Sequence, residues 1–334
     1  MKKIIFYNIL ILIILFLSFE IILRLFFDIT PQGISKGIID NESAKPRFQR
    51  PNLEKGKIFG KNIYTDENGF RISKKQALYK KKNENNENIY FVGGSVTLGS
   101  GVDQSETFSG ILEENHKNIN IHNASVMGSN IENNFYIIKN KIKKQKLKKI
   151  YVNFSLDDIS SSENIFKINE AENFENENKK DIIYKLKHIP IVAKINIFFR
   201  SKSVIYTWIK GFIFDAELRY YTYELNMFKN PENINFLKKN MDLIKELNEE
   251  MDNKITFLVI PYRHQVNTSN CKMQDLAETI IERELLDRNF KFLKIKNLFC
   301  KDIKKNKIFL SQDPSHLSRH GHKILANYLA NDIK

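Results

Sequence analysis

A chain of 334 residues with 42% apolar content can bury one sizeable core or two modest ones, which excludes a disordered protein. Its formal charge of +14 invites a nucleic-acid partner. The lysines are scattered and no recognition module accompanies them, so none is expected, and the basic surface favours anionic lipid headgroups or acidic glycans instead.

In chain order, Ile4 to Phe27 is apolar except for Tyr7, Asn8, Ser18, Glu20 and Arg24. A helix over it, about 36 Å long, would cross a bilayer with some tilt. Glu20 and Arg24 are four apart and can pair near one interface. Lys2 and Lys3 also suit a signal peptide, but no small-residue cleavage site follows, so an uncleaved transmembrane anchor over residues 1–28 is predicted. Charge does not orient it, because Arg24, Lys36, Lys45 and Arg47 lie on the opposite side from Lys2 and Lys3. Residues 29–88 are polar and aperiodic, with Pro31, Pro46 and Pro51, and read as an extended linker. Within it Asn68-Gly69 favours a tight turn, and Phe70 with Arg71 would dock the linker on the body, Arg71 by packing rather than chemistry. Residues 80–88 read as a solvated loop.

The body, residues 89–334, opens with Ile89-Tyr90-Phe91-Val92-Gly93-Gly94-Ser95-Val96-Thr97-Leu98-Gly99. The apolar run predicts a buried parallel strand, and the glycines leave room for a sharp turn towards a helix at 106–114. Ser95 then stands where a nucleophile can stand. A structural turn or a phosphate-cradling loop is the competing explanation, although a P-loop would carry a lysine after its last glycine. Further strands are predicted at 119–123, 149–155, 254–261 and 290–295. Helices are marked by Ile131, Phe135, Ile138 and Ile142, by Leu237, Met241, Ile244, Leu247 and Met251, and by Met273, Leu276 and Ile280. This βαβα alternation predicts a parallel sheet with helices on both faces and ligands at the carboxyl ends of the strands.

A helical insert occupies about 160–232. Residues 160–180 are rich in Asn and Glu and read as exposed. Residues 182–214 crowd Ile191, Ile195, Phe198, Phe199, Trp208 and Phe212 into a basic segment. They read either as an interfacial helix or lid near the membrane, or as a helical cap packed on the core, the cap requiring less. Cys271 and Cys300 allow a single pairing; a disulfide and two buried thiols both remain open.

Near the C-terminus, Asp313-Pro314-Ser315-His316 precedes a helix at 317–330, capped by Ser318 and burying Ile324, Leu325, Tyr328 and Leu329. An Asp three residues before a His can hold one imidazole nitrogen and leave the other free, which is the base a serine hydroxyl needs. A capping loop with an incidental His reads the same. His316, His320 and His322 lack the accompanying ligand spacing of a metal site, so neither metal nor cofactor is expected, and His320 and His322 are placed on the surface.

Together, Gly93-Gly94-Ser95-Val96-Thr97-Leu98-Gly99 and Asp313-Pro314-Ser315-His316-Leu317 resemble the first and last blocks of the SGNH/GDSL hydrolase superfamily, over about 89–330 with the insert interrupting. The resemblance implies a flavodoxin-like three-layer α/β/α fold behind one N-terminal transmembrane helix. It implies Ser95 as nucleophile, His316 as base and Asp313 as its orienting carboxylate, with the Ser95 and Gly128 N–H groups receiving the oxyanion. It implies an esterase or O-acyltransferase, on a body that faces outward as in anchored relatives, with acylated glycans or lipid-linked sugars as substrate. Two positions depart from the family pattern: Gly94 replaces the usual Asp, and Asp157 replaces the Asn that donates to the oxyanion. An ionised carboxylate cannot donate. Either Asp157 is protonated, or another donor such as Asn130 serves, or the site is weak or lost and the chain is a scaffold or glycan-binding protein.

Overall fold

The computed structural model describes residues 2–27, 29–40, 46–79, 83–160, 190–213, 215–267 and 270–333. One sheet of eight strands organises them: β1 (Gly56–Ile58), β2 (Lys61–Thr65), β3 (Arg71–Ile72), β4 (Glu87–Val92), β5 (Ile119–Asn123), β6 (Leu147–Phe154), β7 (Ile255–Val259) and β8 (Lys291–Lys294). Their order is β8-β7-β6-β4-β5-β3-β2-β1. From β8 to β5 every pairing is parallel, as the alternation of strands with helices requires.

The central strands bury both faces, so they read as continuous apolar runs. Tyr90 and Val92 of β4 join a core with Ile131, Phe135, Met241 and Ile281, from the helices Ile131–Lys141, Pro231–Glu250 and Leu276–Leu286. Ile89 and Phe91 point the other way, to Phe108, Phe299, Leu325 and Leu329 from the helices Phe108–Asn115, Ile295–Cys300 and Arg319–Ile333. Period-two alternation thus feeds two cores, giving the three-layer α/β/α architecture.

Several expectations change. The predicted linker docks as expected, with Phe70 and Arg71 5% and 1% exposed. It is not merely extended, however: β3, β2 and β1 prolong the sheet antiparallel from β5. They carry a small core of Ile38, Ile58, Phe59 and Ile63 around Leu98. Strands of two to five residues are too short to show a period. Met273 is exposed ahead of its helix, and Tyr328 is also exposed, while Leu325 and Leu329 are buried as predicted.

The insert splits. Residues 161–189 lie outside the described residues. The helix Ala216–Met227 packs Tyr221 and Leu225 on the first core, as a cap would. The helices Pro190–Lys202 and Val204–Ile213 do not: Val204 and Ile205 pack with Leu23 and Ile29, at the end of the N-terminal helix Lys2–Phe26, instead of on the sheet.

Candidate active site

Strand β4 ends at Val92, and the chain turns at once into a short helix, Ser95–Leu98, that places Ser95 at its first position. A Cβ on Gly93 would lie 2.5 Å from Thr97 Oγ1 and 2.9 Å from Asn153 Cβ, so a side chain there has no room. The turn is held from below by Arg71. Its guanidinium donates to the carbonyls of Leu98, of Gly99 at 2.8 Å and of Val102 at 2.7 Å. Burial pulls it down to about 10, which leaves it cationic at neutral pH. Arg71 therefore packs and positions, as its sequence context implied.

The second half of the site arrives from the loop before Arg319–Ile333. The loop is pinned where the Leu310 N–H donates to the His316 carbonyl at 2.9 Å and the Ser318 N–H to the Ile308 carbonyl at 2.8 Å. Asp313 Oδ1 accepts the N–H groups of Ser315 at 2.9 Å and His316 at 2.8 Å, which fixes the carboxylate. The same carboxylate meets His316 Nδ1 at 2.9 and 3.0 Å, and His316 Nε2 lies 2.8 Å from Ser95 Oγ. With Nδ1–H donated to Asp313, Nε2 is left to accept a proton. Three residues singled out in the sequence are thereby brought into one hydrogen-bonded line.

Electrostatics suits that line. Burial works against a charged His316 ring, but the charge and hydrogen bond of Asp313 outweigh it and hold the imidazole above its ordinary range. Burial likewise opposes the Asp313 charge, yet His316 and the two N–H groups keep its carboxyl below the usual value. The Phe59 ring packs edge-on to His316 at 4.9 Å. Phe59 belongs to the segment read as linker, and an aromatic in a short aperiodic stretch carries no signal of such a role.

Gly128 follows β5 in a turn with φ of +68°, a left-handed conformation that suits glycine. Among the described residues, neither its N–H nor that of Ser95 has a protein acceptor. Asn130 caps the helix Ile131–Lys141: its side-chain Oδ1 accepts the Asn133 N–H at 2.9 Å, and its side-chain Nδ2 donates to the Ser160 carbonyl at 2.8 Å. That commitment makes it a poor substitute donor.

Asp157 lies in the turn Leu156–Ile159 after β6. Burial raises its carboxyl above the ordinary range, against the lowering influence of Tyr262 and the His316 charge. Asp158 and Glu224 are raised further, each by burial first and then by the Asp157 charge. Tyr262, buried in the same acidic neighbourhood, is pushed up as well, and so is Tyr220, which stacks on it with ring centroids 5.7 Å apart while remaining partly exposed. Glu224 and the tyrosines come from the helix Ala216–Met227 and the strand end after β7, and nothing local in sequence joins them to Asp157.

The other two histidines part company. His320 pairs with Asp302 at 3.1 Å near the surface. His322 is not on the surface: it is wholly buried beside Phe108, whose N–H donates to its Nδ1 at 3.3 Å, and its Nε2 has no partner. The helix Arg319–Ile333 turns His322 inward beside Leu325 and Leu329, three and seven residues on. Cys271 and Cys300 form a disulfide with Cα atoms 5.7 Å apart, which resolves the pairing that the sequence leaves open.

No protein-family model matches the chain, and no curated protein does. Similar solved structures include a lipase/acylhydrolase from Enterococcus faecalis, 10% identical over 74% of this chain and 95% of that one, with a TM-score of 0.43. A lipolytic protein of the G-D-S-L family from Veillonella parvula is 12% identical over 73% and 97%, at 0.39. The acetylxylan esterase Axe2 from Geobacillus stearothermophilus is 13% identical over 76% and 96%, also at 0.39. At scores of this size the activities in these names do not transfer to the present chain.

Proposed function

We propose that this protein is a membrane-anchored serine esterase or O-acyltransferase, its body outside the cytoplasm, acting on acyl esters, acetyl first among them, of cell-surface glycans or lipid-linked sugars. What carries the reading is the 2.8 Å approach of His316 Nε2 to Ser95 Oγ, with Asp313 on the far side of the ring.

Ser95 Oγ attacks the ester carbonyl carbon as its proton passes to His316 Nε2. The carbonyl oxygen becomes an oxyanion facing the free N–H groups of Ser95 and Gly128. Collapse breaks the ester bond, the leaving alcohol takes the proton from His316, and an acyl-enzyme remains. Water or a sugar hydroxyl then attacks it, deprotonated by His316, and Ser95 is released. Burial raises the Asp157 carboxyl, though less than those of Asp158 and Glu224 beside it, and in its protonated form it can donate where the family carries Asn.

The anchored location draws support from the N-terminal helix, of which Lys3–Phe26 is long and apolar enough to cross a membrane. Its end is built into the body: Glu20 accepts the N–H groups of Val204 at 2.8 Å and Ile205 at 2.9 Å, and Arg24 donates to the Lys202 carbonyl at 2.6 Å. A cleaved signal peptide would strip those groups of their partners. The disulfide suits an oxidising compartment.

A fluorophosphonate probe tests the chemistry. The wild type should label, and Ser95→Ala should not; a folded wild type that never labels would favour the scaffold. Labelling should also lose rate as pH falls through a value above 6.5, where His316 gains a proton and stops serving as base. Asp157→Asn should preserve labelling and its acid limb, whereas Asp157→Ala should slow it by about 100- to 1,000-fold. An acid limb that drops in Asp157→Asn would mean the native carboxylate is charged and its donor role is wrong.

A further inference from the structure

The helices Pro190–Lys202 and Val204–Ile213 form a hairpin whose outer side is greasy. Ile191, Ile195, Phe198, Phe199, Phe212 and Ile213 are exposed, between 42% and 67% each. Side chains of this kind on one contiguous element mark an interaction surface rather than ordinary surface scatter. Their position says what covers them. Glu20 caps the second helix, and Leu23 packs against Val204 and Ile205. Trp208 meets Phe19 with ring centroids 5.5 Å apart. The hairpin is therefore attached over Phe19 to Arg24, the last two turns of the apolar helix. That helix, about 36 Å long, exceeds a bilayer's hydrocarbon by roughly 6 Å, so its final turns reach the headgroup boundary. Lys194, Arg200 and Lys202 on the hairpin are exposed and cationic, as an anionic headgroup layer favours.

The opposite side of the hairpin is one layer from the catalytic line. The Gln32 N–H donates to the Arg200 carbonyl at 2.8 Å, and the Phe59 N–H to the Gly33 carbonyl at 2.8 Å. Phe59 in turn packs on His316. A Cβ on Gly211 would strike the Gln312 side chain, 2.3 Å from its Oε1, and Gln312 directly precedes Asp313.

We infer that the hairpin is an interfacial foot, seated in the outer leaflet beside the anchor, and that it sets the Ser95 site over the bilayer so that the acyl ester it meets is carried by a membrane lipid. This rests on the anchored-esterase reading above and narrows its substrate to the lipid-linked class.

Trp208 is the chain's only tryptophan, so it reports the foot without substitution. The full chain would be placed in vesicles of phosphatidylcholine and phosphatidylglycerol, and Trp208 emission measured with spin-labelled lipids. Quenching should be stronger with label near the headgroup than at the chain terminus; no quenching by any lipid overturns the foot. A second measurement separates the foot from the anchor it touches. Ile195→Asp with Phe198→Asp alters two exposed residues and leaves the fold and anchor intact. A short water-soluble fluorophosphonate should label this double variant at the wild-type rate. A long-chain fluorophosphonate dissolved in the vesicles should label it about tenfold or more slowly, since each lost apolar contact of this size is worth roughly tenfold. Equal labelling of variant and wild type by the vesicle-borne probe overturns the placement. Failure of both probes on wild type would instead sink the serine chemistry, with the Trp208 result still standing on its own.

Discussion

The helices Ile131–Lys141 and Pro190–Lys202 carry apolar residues at one spacing: Ile131, Phe135 and Ile138 in the first, Ile191, Ile195 and Phe198 in the second. The first set is 0%, 7% and 0% exposed, the second 66%, 49% and 59%. One stripe lies against the sheet and the Pro231–Glu250 helix, whereas the other faces away from the protein beside the end of the N-terminal helix. Periodicity declares that a face must be covered, and it is silent on whether protein or lipid covers it.

That contrast can be broken most directly in the buried stripe. Ile138→Ala should lower unfolding stability in urea by about 2–5 kcal/mol, the cost of a core cavity; a change under 1 kcal/mol would mean the stripe is not tightly packed. A polar group inside the core gives the next largest effect. Burial, with the Arg71 charge, holds the His322 imidazole down to about 3, while the unfolded chain binds a proton near the ordinary 6.5. Stability from this group is fully present above pH 6.5 and declines as pH falls towards 3, by at most about 1.4 kcal/mol per pH unit. The difference in urea midpoint between wild type and His322→Gln should therefore depend on pH in that window, and a constant difference would contradict the buried neutral ring.

Where the uncovered stripe joins the N-terminal helix, Glu20→Ala removes the acceptor for two N–H groups at the start of the Val204–Ile213 helix. It should loosen that joint by about 1 kcal/mol, seen as greater acrylamide access to Trp208; unchanged access would show that the apolar contacts alone hold it. The smallest effect belongs to the exposed stripe itself. Ile195→Ser should move the unfolding midpoint of the body in detergent by no more than about 0.5 kcal/mol, and a loss as large as that of Ile138→Ala would place this helix in a core after all.

Much of the candidate site was legible because its pieces are local. Gly93-Gly94-Ser95 can be recognised as a tight strand exit, and Asp313 to His316 as a carboxylate and imidazole within one turn, from a few residues each. The five parallel strands were legible for the same reason, the central ones from their apolar runs and Lys291–Lys294 from its alternation. Phe59 against His316, Glu224 and Tyr262 around Asp157, and the inward turn of His322 were not legible.

Local chemistry, then, was written in the chain: which segments are strands, where a serine can be presented, and which histidine has a carboxylate at hand. Only the tertiary structure decided that Ser95 and His316 meet across 221 positions, that a supposed linker extends the sheet, and that one apolar helix pair lies against the end of the N-terminal helix instead of the core. Secondary structure follows from interactions a few residues apart, whereas partners brought from opposite ends of the chain depend on how all the layers pack at once.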